Sequence, residues 1–408
     1  MQAIFEQALS LTSPWYIDEI SFSVDTKQLD IYINFERGTH FSLDESSVTY
    51  PVHDTVEKKW RHLTFFEHEC YLHCRTPRVK KADGKVQLIS PLWAGKTNGF
   101  SLLFEAFLLQ LCKHMPINVV AKTVSVSDDK LWRMLEKYVA KTRDLEDFSA
   151  TTAVGIDETS RAKGHTYITL FVDLDERRTI FITDGKDSTT VRSFAKDFKA
   201  HKGSVEAVKD VTCDMSKAFI KGVKETLPQA EITFDKFHII KIINEALDTI
   251  RRREVGQNPI LKGQRYTFLK SHSNLTAYQQ RSLQELSKQK YNLQTYRAME
   301  IRNAFMDIYK ITDNDLFECR LNEWYSWARR CRIPEMKKVA RTIKNHWDGV
   351  LRWRVSGLSN GILEGLNSLI QAAKSKARGY RTTKNFKIIA YLVTGRLDFG
   401  NINQFFKT

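Results

Sequence analysis

Three carboxylates stand where a chain could offer them together to a divalent cation. Asp157 closes the apolar run Thr151-Thr-Ala-Val-Gly-Ile156 and is followed at once by Glu158. Asp214 closes Val211-Thr-Cys213, and Glu364 is the lone acid of Ser359-Asn-Gly-Ile-Leu-Glu-Gly-Leu-Asn-Ser-Leu-Ile-Gln371. A strand that ends in an acid fixes the backbone while the carboxylate projects past the sheet edge, a rigid base for a metal site. Converging, the three make an all-oxygen site suited to Mg²⁺ or Mn²⁺. Two such ions, about 3.5–4 Å apart, can activate a water or 3′-hydroxyl and stabilise the leaving oxygen of a phosphodiester. No covalent protein nucleophile is required. Glu158, Asp173, Asp175 and Asp184 compete with Asp157, and intervals of 57 and 150 residues between the three acids do not by themselves select them.

The elements that must position these acids alternate in type from residue 151 onward. Periodicity predicts strands over 152–158, 165–174, 178–183, 208–214 and 231–235, with helices near 189–201 and 216–227. Hairpin-joined strands followed by β-α-β crossovers predict a ribonuclease-H-like α/β core with helices on both faces. There the ends of the first and fourth strands lie side by side, and a later helix brings the third acid. The first part of this core is read as 150–243 and an all-α insertion as 244–355, rich in Lys, Arg, Gln and Trp and broken by Pro259 and Pro334. Trp347 and Trp353 are read as packing the insertion, with stacking on a flipped base as the alternative. The final part, 356–400, carries Glu364 on a helix whose apolar face is Ile362, Leu366, Leu369 and Ile370. Asn367, Ser368 and Gln371 share a face with Glu364. Beyond it Lys374, Lys376, Arg378, Arg381, Lys384, Lys387, Arg396 and Lys407 face one acid, Asp398, a strip suited to a DNA backbone or to plain solvation.

Ahead of the core lie two smaller modules, so the fold class is α+β and multidomain. Residues 1–88 read as a small β module with strands at 20–24, 29–35, 62–66 and 70–74. Cys70, His73 and Cys74 are candidate zinc ligands, with His53, His62 and His68 nearby, but no Cys-x-x-Cys pair occurs. The favoured reading is that Lys58, Lys59, Arg61, Arg75, Arg78, Lys80 and Lys81 face DNA phosphates. Residues 96–148 show a helical pattern over 100–115, Pro116, a short helix at 119–123, and a Ser127-Asp-Asp cap before 130–138. That outline fits a helix-turn-helix presenting Lys130, Arg133 and Lys137, or an ordinary helical packing module.

Composition agrees with a nucleic-acid partner. Among 408 residues, 63 Lys and Arg stand against 48 Asp and Glu, a net charge of +15. No apolar run approaches the ~20 residues of a membrane span, the first residues lack a signal-peptide pattern, and six scattered cysteines suggest a reducing cytosol. The expected location is cytoplasmic and nucleoid-associated, with no membrane partner.

Several strings in order resemble one family. Gly155-Ile-Asp-Glu158, Val211-Thr-Cys-Asp-Met-Ser216, Phe234-Asp-Lys-Phe-His238, His346-Trp-Asp-Gly-Val350, Asn360-Gly-Ile-Leu-Glu-Gly-Leu-Asn367 and Lys374-Ser-Lys-Ala-Arg-Gly-Tyr380 are similar to the DDE transposases of the ISL-three insertion-sequence family. The resemblance runs from about residue 50 to 400. It implies that Asp157, Asp214 and Glu364 are the metal-binding triad, holding two Mg²⁺ (or Mn²⁺) ions. It also implies that Asp235 and His238 are the D-x-x-H pair of transposases with a helical insertion, His238 reaching the scissile or flanking phosphate or capping its helix. Members usually carry a cysteine-rich zinc ribbon; residues 41–50 and 80–85 here contain no cysteine, so the N-terminal module reads as degenerate and zinc is not expected. The implied function is binding of terminal inverted repeats, then strand cleavage and transfer into target DNA by at least a homodimer on double-stranded DNA. The rivals are a non-catalytic DNA-binding protein, disfavoured by an intact triad, and a nuclease of the same fold, disfavoured by the helix-turn-helix outline and the insertion.

Overall fold

The structure is a computed structural model, and it describes all residues except 1, 44–47, 98, 163, 165, 289–291, 359–360 and 407–408. Ser359, Asn360 and Lys407, named above, lie outside the described residues. Contacts divide the chain into two compact units, 1–146 with 372–408, and 147–371. No helix among the described residues is long and apolar enough to cross a membrane.

The first unit opens with α1 (Gln2–Ala8) and a sheet of β1 (Trp15–Ser23), β2 (Gln28–Phe35), β3 (His40–Ser42), β4 (Thr49–Arg61), β5 (Glu69–Lys80) and β6 (Val86–Leu88). The strand order is β1-β2-β5-β4-β3, with β6 paired to β5. Alternation places Leu29, Ile31, Ile33, Cys70, Leu72 and Cys74 in one buried layer with Trp15 and Trp93. Residues 62–66, expected as a strand, lie beyond the end of β4. The ladder to β5 is made by β4 over Val52–Arg61, a segment whose polar side chains hide its strand character. Arg61 is not free for DNA: it is 5 % exposed and donates to the carbonyls of His62 and Cys70.

Three helices follow, α2 (Leu102–His114), α3 (Ile117–Thr123) and α4 (Asp128–Asp144). Ser127 is the N-cap of α4, although its hydroxyl makes no capping bond. The C-terminal helix, Thr383–Thr394, shares the core of these three through Ile388, Ile389 and Leu392. The sequence reading grouped 356–400 with the catalytic sheet, whereas the chain from 372 packs with the first unit. A buried polar chain ties this unit together. Glu105 is fully buried and accepts from the Lys96 and Thr97 amides and the Tyr138 hydroxyl, while Asn403 donates to Tyr138 and to the Leu102 carbonyl.

The second unit holds a five-stranded sheet of β7 (Ala153–Ala162), β8 (Thr166–Asp173), β9 (Arg178–Asp184), β10 (Asp210–Cys213) and β11 (Glu231–Phe234) in the order β11-β10-β7-β8-β9. β7, β8 and β9 form an antiparallel meander, and β10 and β11 join parallel to β7 through the crossovers α5 (Ser188–Ala200) and α6 (Lys217–Thr226). From β11 the chain enters α7 (Lys236–Val255), then α8 (Arg265–Leu269), α9 (Ala277–Leu286), α10 (Gln294–Ile308), α11 (Asn314–Arg330), α12 (Pro334–Asn345) and α13 (Trp347–Ser356). These helices are not a detached module. One apolar core runs from Val154, Ile156 and Phe234 through Ile243 and Leu247 of α7 to Phe305, Trp324 and Val350. Glu254 fastens α10 to α7 by accepting from the Gln294 and Thr295 amides. The last helix of this unit, α14 (Gly361–Lys376), continues into the first unit past residue 371.

Candidate active site

The parallel register builds the site from the backbone up. β10 pairs with β7 so that Thr212 faces Gly155, and with β11 so that Cys213 faces Phe234. Carrying both registers onward sets Asp157, inside β7, level with Asp214 and Asp235, each the first residue past its strand. The Asp235 amide donates to the Cys213 carbonyl at 3.2 Å, which extends the ladder to that level.

Each aspartate is held differently. Asp157 Oδ1 accepts the Glu158 amide at 2.8 Å, and Oδ2 accepts the side-chain amide of Asn367. Asp214 Oδ1 accepts the Ser216 amide at 2.9 Å. Asp235 is 5 % exposed and both its oxygens are committed, one to the Phe237 amide at 3.0 Å as the N-cap of α7, the other to His238 Nδ1 at 2.7 Å. It thereby caps α7 and orients the His238 ring through Nδ1. Burial pushes the Asp157 carboxyl up to about 6, with Asp235 and Asp214 adding to the rise and His238 opposing it. His238 is raised, chiefly by its hydrogen bond to Asp235.

α14 lies along β7 with matched steps. Leu363 packs on Gly155, Asn367 reaches Asp157, and Gln371 donates to Thr159 Oγ1 at 2.7 Å and to the Ser160 carbonyl at 3.0 Å. Four helical residues rise about 6 Å and two strand residues about 6.6 Å, so one helix turn meets every second strand residue. A Cβ at Gly155 would lie 3.0 Å from the side chains of both Leu363 and Leu174, so the glycine is what admits the helix. The apolar face differs from the one expected: Leu363 and Ile370 are its buried members, and Leu369 is exposed.

Glu364 is exposed on α14, next to the stripe that faces β7. Among the described residues no three His, Cys, Asp or Glu side chains gather closely enough to hold a metal ion, so Asp157 and Asp214 are brought together and Glu364 is not. The competing acid Asp173 is a turn staple, accepting from the Thr151 hydroxyl and the Asp175 and Glu176 amides. Trp347 and Trp353 pack against the core, Trp353 with Tyr309 and Phe317, which is the packing role. Sequence reasoning missed Asn367 as a partner of Asp157 and Leu363 as an anchor. The available signal was a glycine two residues before the acid that closes the apolar run; the strand itself, expected over 152–158, continues to Ala162.

Elsewhere, Lys130, Arg133 and Lys137 are all exposed along α4, whose other faces hold Leu131, Leu135 and Tyr138 in the core. Lys376, Arg378 and Arg381 are exposed and Lys374 is half-buried, and Lys384 pairs with Glu136 of α4. This basic segment is thus grouped with the helices of the first unit. The zinc candidates do not converge: Cys70 and Cys74 point into the apolar layer, where burial pushes each thiol up to about 12, while His73 points the other way and bonds Asp30.

Comparison with known proteins adds the lineage. Residues 154–390 match a family model described as a transposase, the DDE transposase of ISL3 type, and residues 90–139 match the helix-turn-helix domain of transposase family ISL3. The chain is a transposase by family, and it belongs to the ISL3 family. It is 26 % identical over 370 residues to the transposase for insertion sequence element IS1557 of Mycobacterium tuberculosis, covering 82 % of this chain and 81 % of that one. It is likewise 26 % identical over 345 residues to the transposase for insertion sequence element IS1001 of Bordetella parapertussis, covering 82 % and 84 %.

Proposed function

We propose that the protein mobilises an insertion sequence: it binds terminal inverted repeats, pairs two ends as at least a dimer, and carries out Mg²⁺-dependent strand cleavage and strand transfer. The observation that carries this reading is the register of β7 and β10, which sets Asp157, inside β7, level with Asp214, the first residue past β10. The sheet order, with a three-stranded meander extended by two parallel strands, supports a ribonuclease-H-like core. The donor set fits hard cations, being all carboxylate oxygen, and a cation would offset the burial, and to a lesser degree the neighbouring acids, that raise Asp157. Asp157 and Asp214 would hold the metal, with Glu364 of α14 as the proposed third ligand. Bound there, two ions supply activation of the attacking water or 3′-hydroxyl and stabilisation of the leaving oxygen, and divalent metal ions are general to this family.

The chain's own residues do the rest. Asp235 keeps His238 oriented and favours its protonated form, so that Nε2 can donate a charge-assisted hydrogen bond to a phosphate oxygen. Asn367 holds Asp157 in one rotamer, and Lys130, Arg133 and Lys137 present the α4 surface to an element end. The test is cleavage and strand transfer on a labelled end duplex with Mg²⁺, comparing wild type with Asp214→Ala. The expected result is joined product from wild type and its loss by at least ~10³-fold in the variant, with end binding retained. Cutting without joining would replace this reading with a nuclease.

A further inference from the structure

One side of α7 is open beside the aspartate row. Phe237, in its first turn between Asp235 and His238, is 55 % exposed, although an aromatic ring of that size normally finds cover. It forms one end of a cavity of about 300 Å³ that follows the helix past Lys241, Asn244 and Asp248 to Arg252, with Arg265 opposite. These residues recur at helical spacing, so they form one stripe. Asn244 Oδ1 is buried and has no hydrogen-bond partner among the described residues, which is costly unless a ligand supplies a donor. Two acids also line the cavity. Asp248 is absorbed by Arg251 at 2.9 Å, Arg252 at 3.4 Å and Arg265 at 3.6 Å; Glu245 lies on the rim. Lys241 is exposed on the same stripe.

A flat apolar face, an unused amide and cations along one groove match the three parts of a nucleotide. We propose that this cavity receives one unstacked nucleobase of the DNA strand beside the cleaved phosphate. Phe237 stacks on the base, Asn244 hydrogen-bonds its edge, and Lys241, Arg252 and Arg265 hold the flanking phosphates. Base–aromatic stacking is tolerant of sequence, while a side-chain amide reads adenine best, with its paired donor and acceptor. The cavity lies one residue from His238, so it selects a nucleotide next to the phosphate that His238 addresses. This rests on the transposase reading above.

The experiment places 2-aminopurine singly at each position within a few nucleotides of the cleavage site in an end duplex and follows its emission on binding full-length protein. Emission is expected to rise several-fold at one position only, and that rise is lost with Phe237→Ala while affinity for the duplex changes less than about threefold. Cleavage by Phe237→Ala falls about ten- to a hundredfold, the range a lost stack supplies. Phe237→Tyr restores both, and an abasic nucleotide at the responding position relieves the Phe237→Ala defect. Wild-type protein that cleaves the duplex with no position responding would overturn the pocket and leave the transposase reading intact. A response unchanged by Phe237→Ala would overturn it too. Failure of wild type to cleave any end duplex would remove the reading beneath, and the pocket with it.

Discussion

Asp157 carries a cost in the absence of cations that should be visible in stability. Its folded pKa, about 6, lies above the ordinary carboxylate value. A raised pKa stabilises the fold fully below the unfolded value and loses that contribution as pH climbs through the folded one. Two pKa units correspond to roughly 2–3 kcal/mol. We expect metal-free Asp157→Asn to gain stability relative to wild type, by up to about 2 kcal/mol, as pH rises from 4 to 8 in urea unfolding. A difference independent of pH would show that the carboxyl is not strained. Each acid was visible because it closes an apolar run, but β7 does not stop at Asp157 as expected: it continues to Ala162, and only Asp214 lies just past its strand. The binding of Asp235 was not legible, since Asp-Lys-Phe-His looks the same whether the acid faces substrate or caps its own helix. The zinc candidates could have been rejected from parity alone, because positions 70 and 74 share a strand face and 73 does not.

At the level of elements, the contact of α14 with β7 depends on an absent side chain. Gly155→Val would force Leu363 and Leu174 apart, and overpacking of this kind costs about 1–3 kcal/mol. Because the same helix carries Asn367 and Glu364, the variant should lose cleavage by about tenfold or more while the first unit still binds an end duplex. Gel-shift and cleavage assays on one preparation check this; equal activity in both proteins would show that α14 is not set by that contact. The meander and crossovers were legible from period-2 runs alternating with helical ones. β4 was not, because its exposed face is as polar as a loop. The helices after α7 read as an insertion from their polar surfaces, but their shared core with the sheet depends on long-range packing that no local pattern encodes.

For the whole molecule, the first unit is assembled from both ends of the chain. Phe399 and Phe406 enter the core of α2 and α4, and Asn403 joins Tyr138 to Leu102. Removing residues 396–408 strips two buried aromatic rings and leaves buried polar groups unpaired, a loss of several kcal/mol by the usual scale of about 3–5 for one aromatic. We expect the truncated chain to lose end binding while the unit of residues 147–371 keeps its resistance to proteolysis; unchanged binding would show that the tail is dispensable. An amphipathic C-terminal helix was legible, but which core it joins was not, since its apolar face fits either. This return of the chain has a consequence in time. Synthesis must reach Phe399 and Phe406 before the core around α4 is complete, so a nascent chain that stops short of them carries α4 without the partners that fix it.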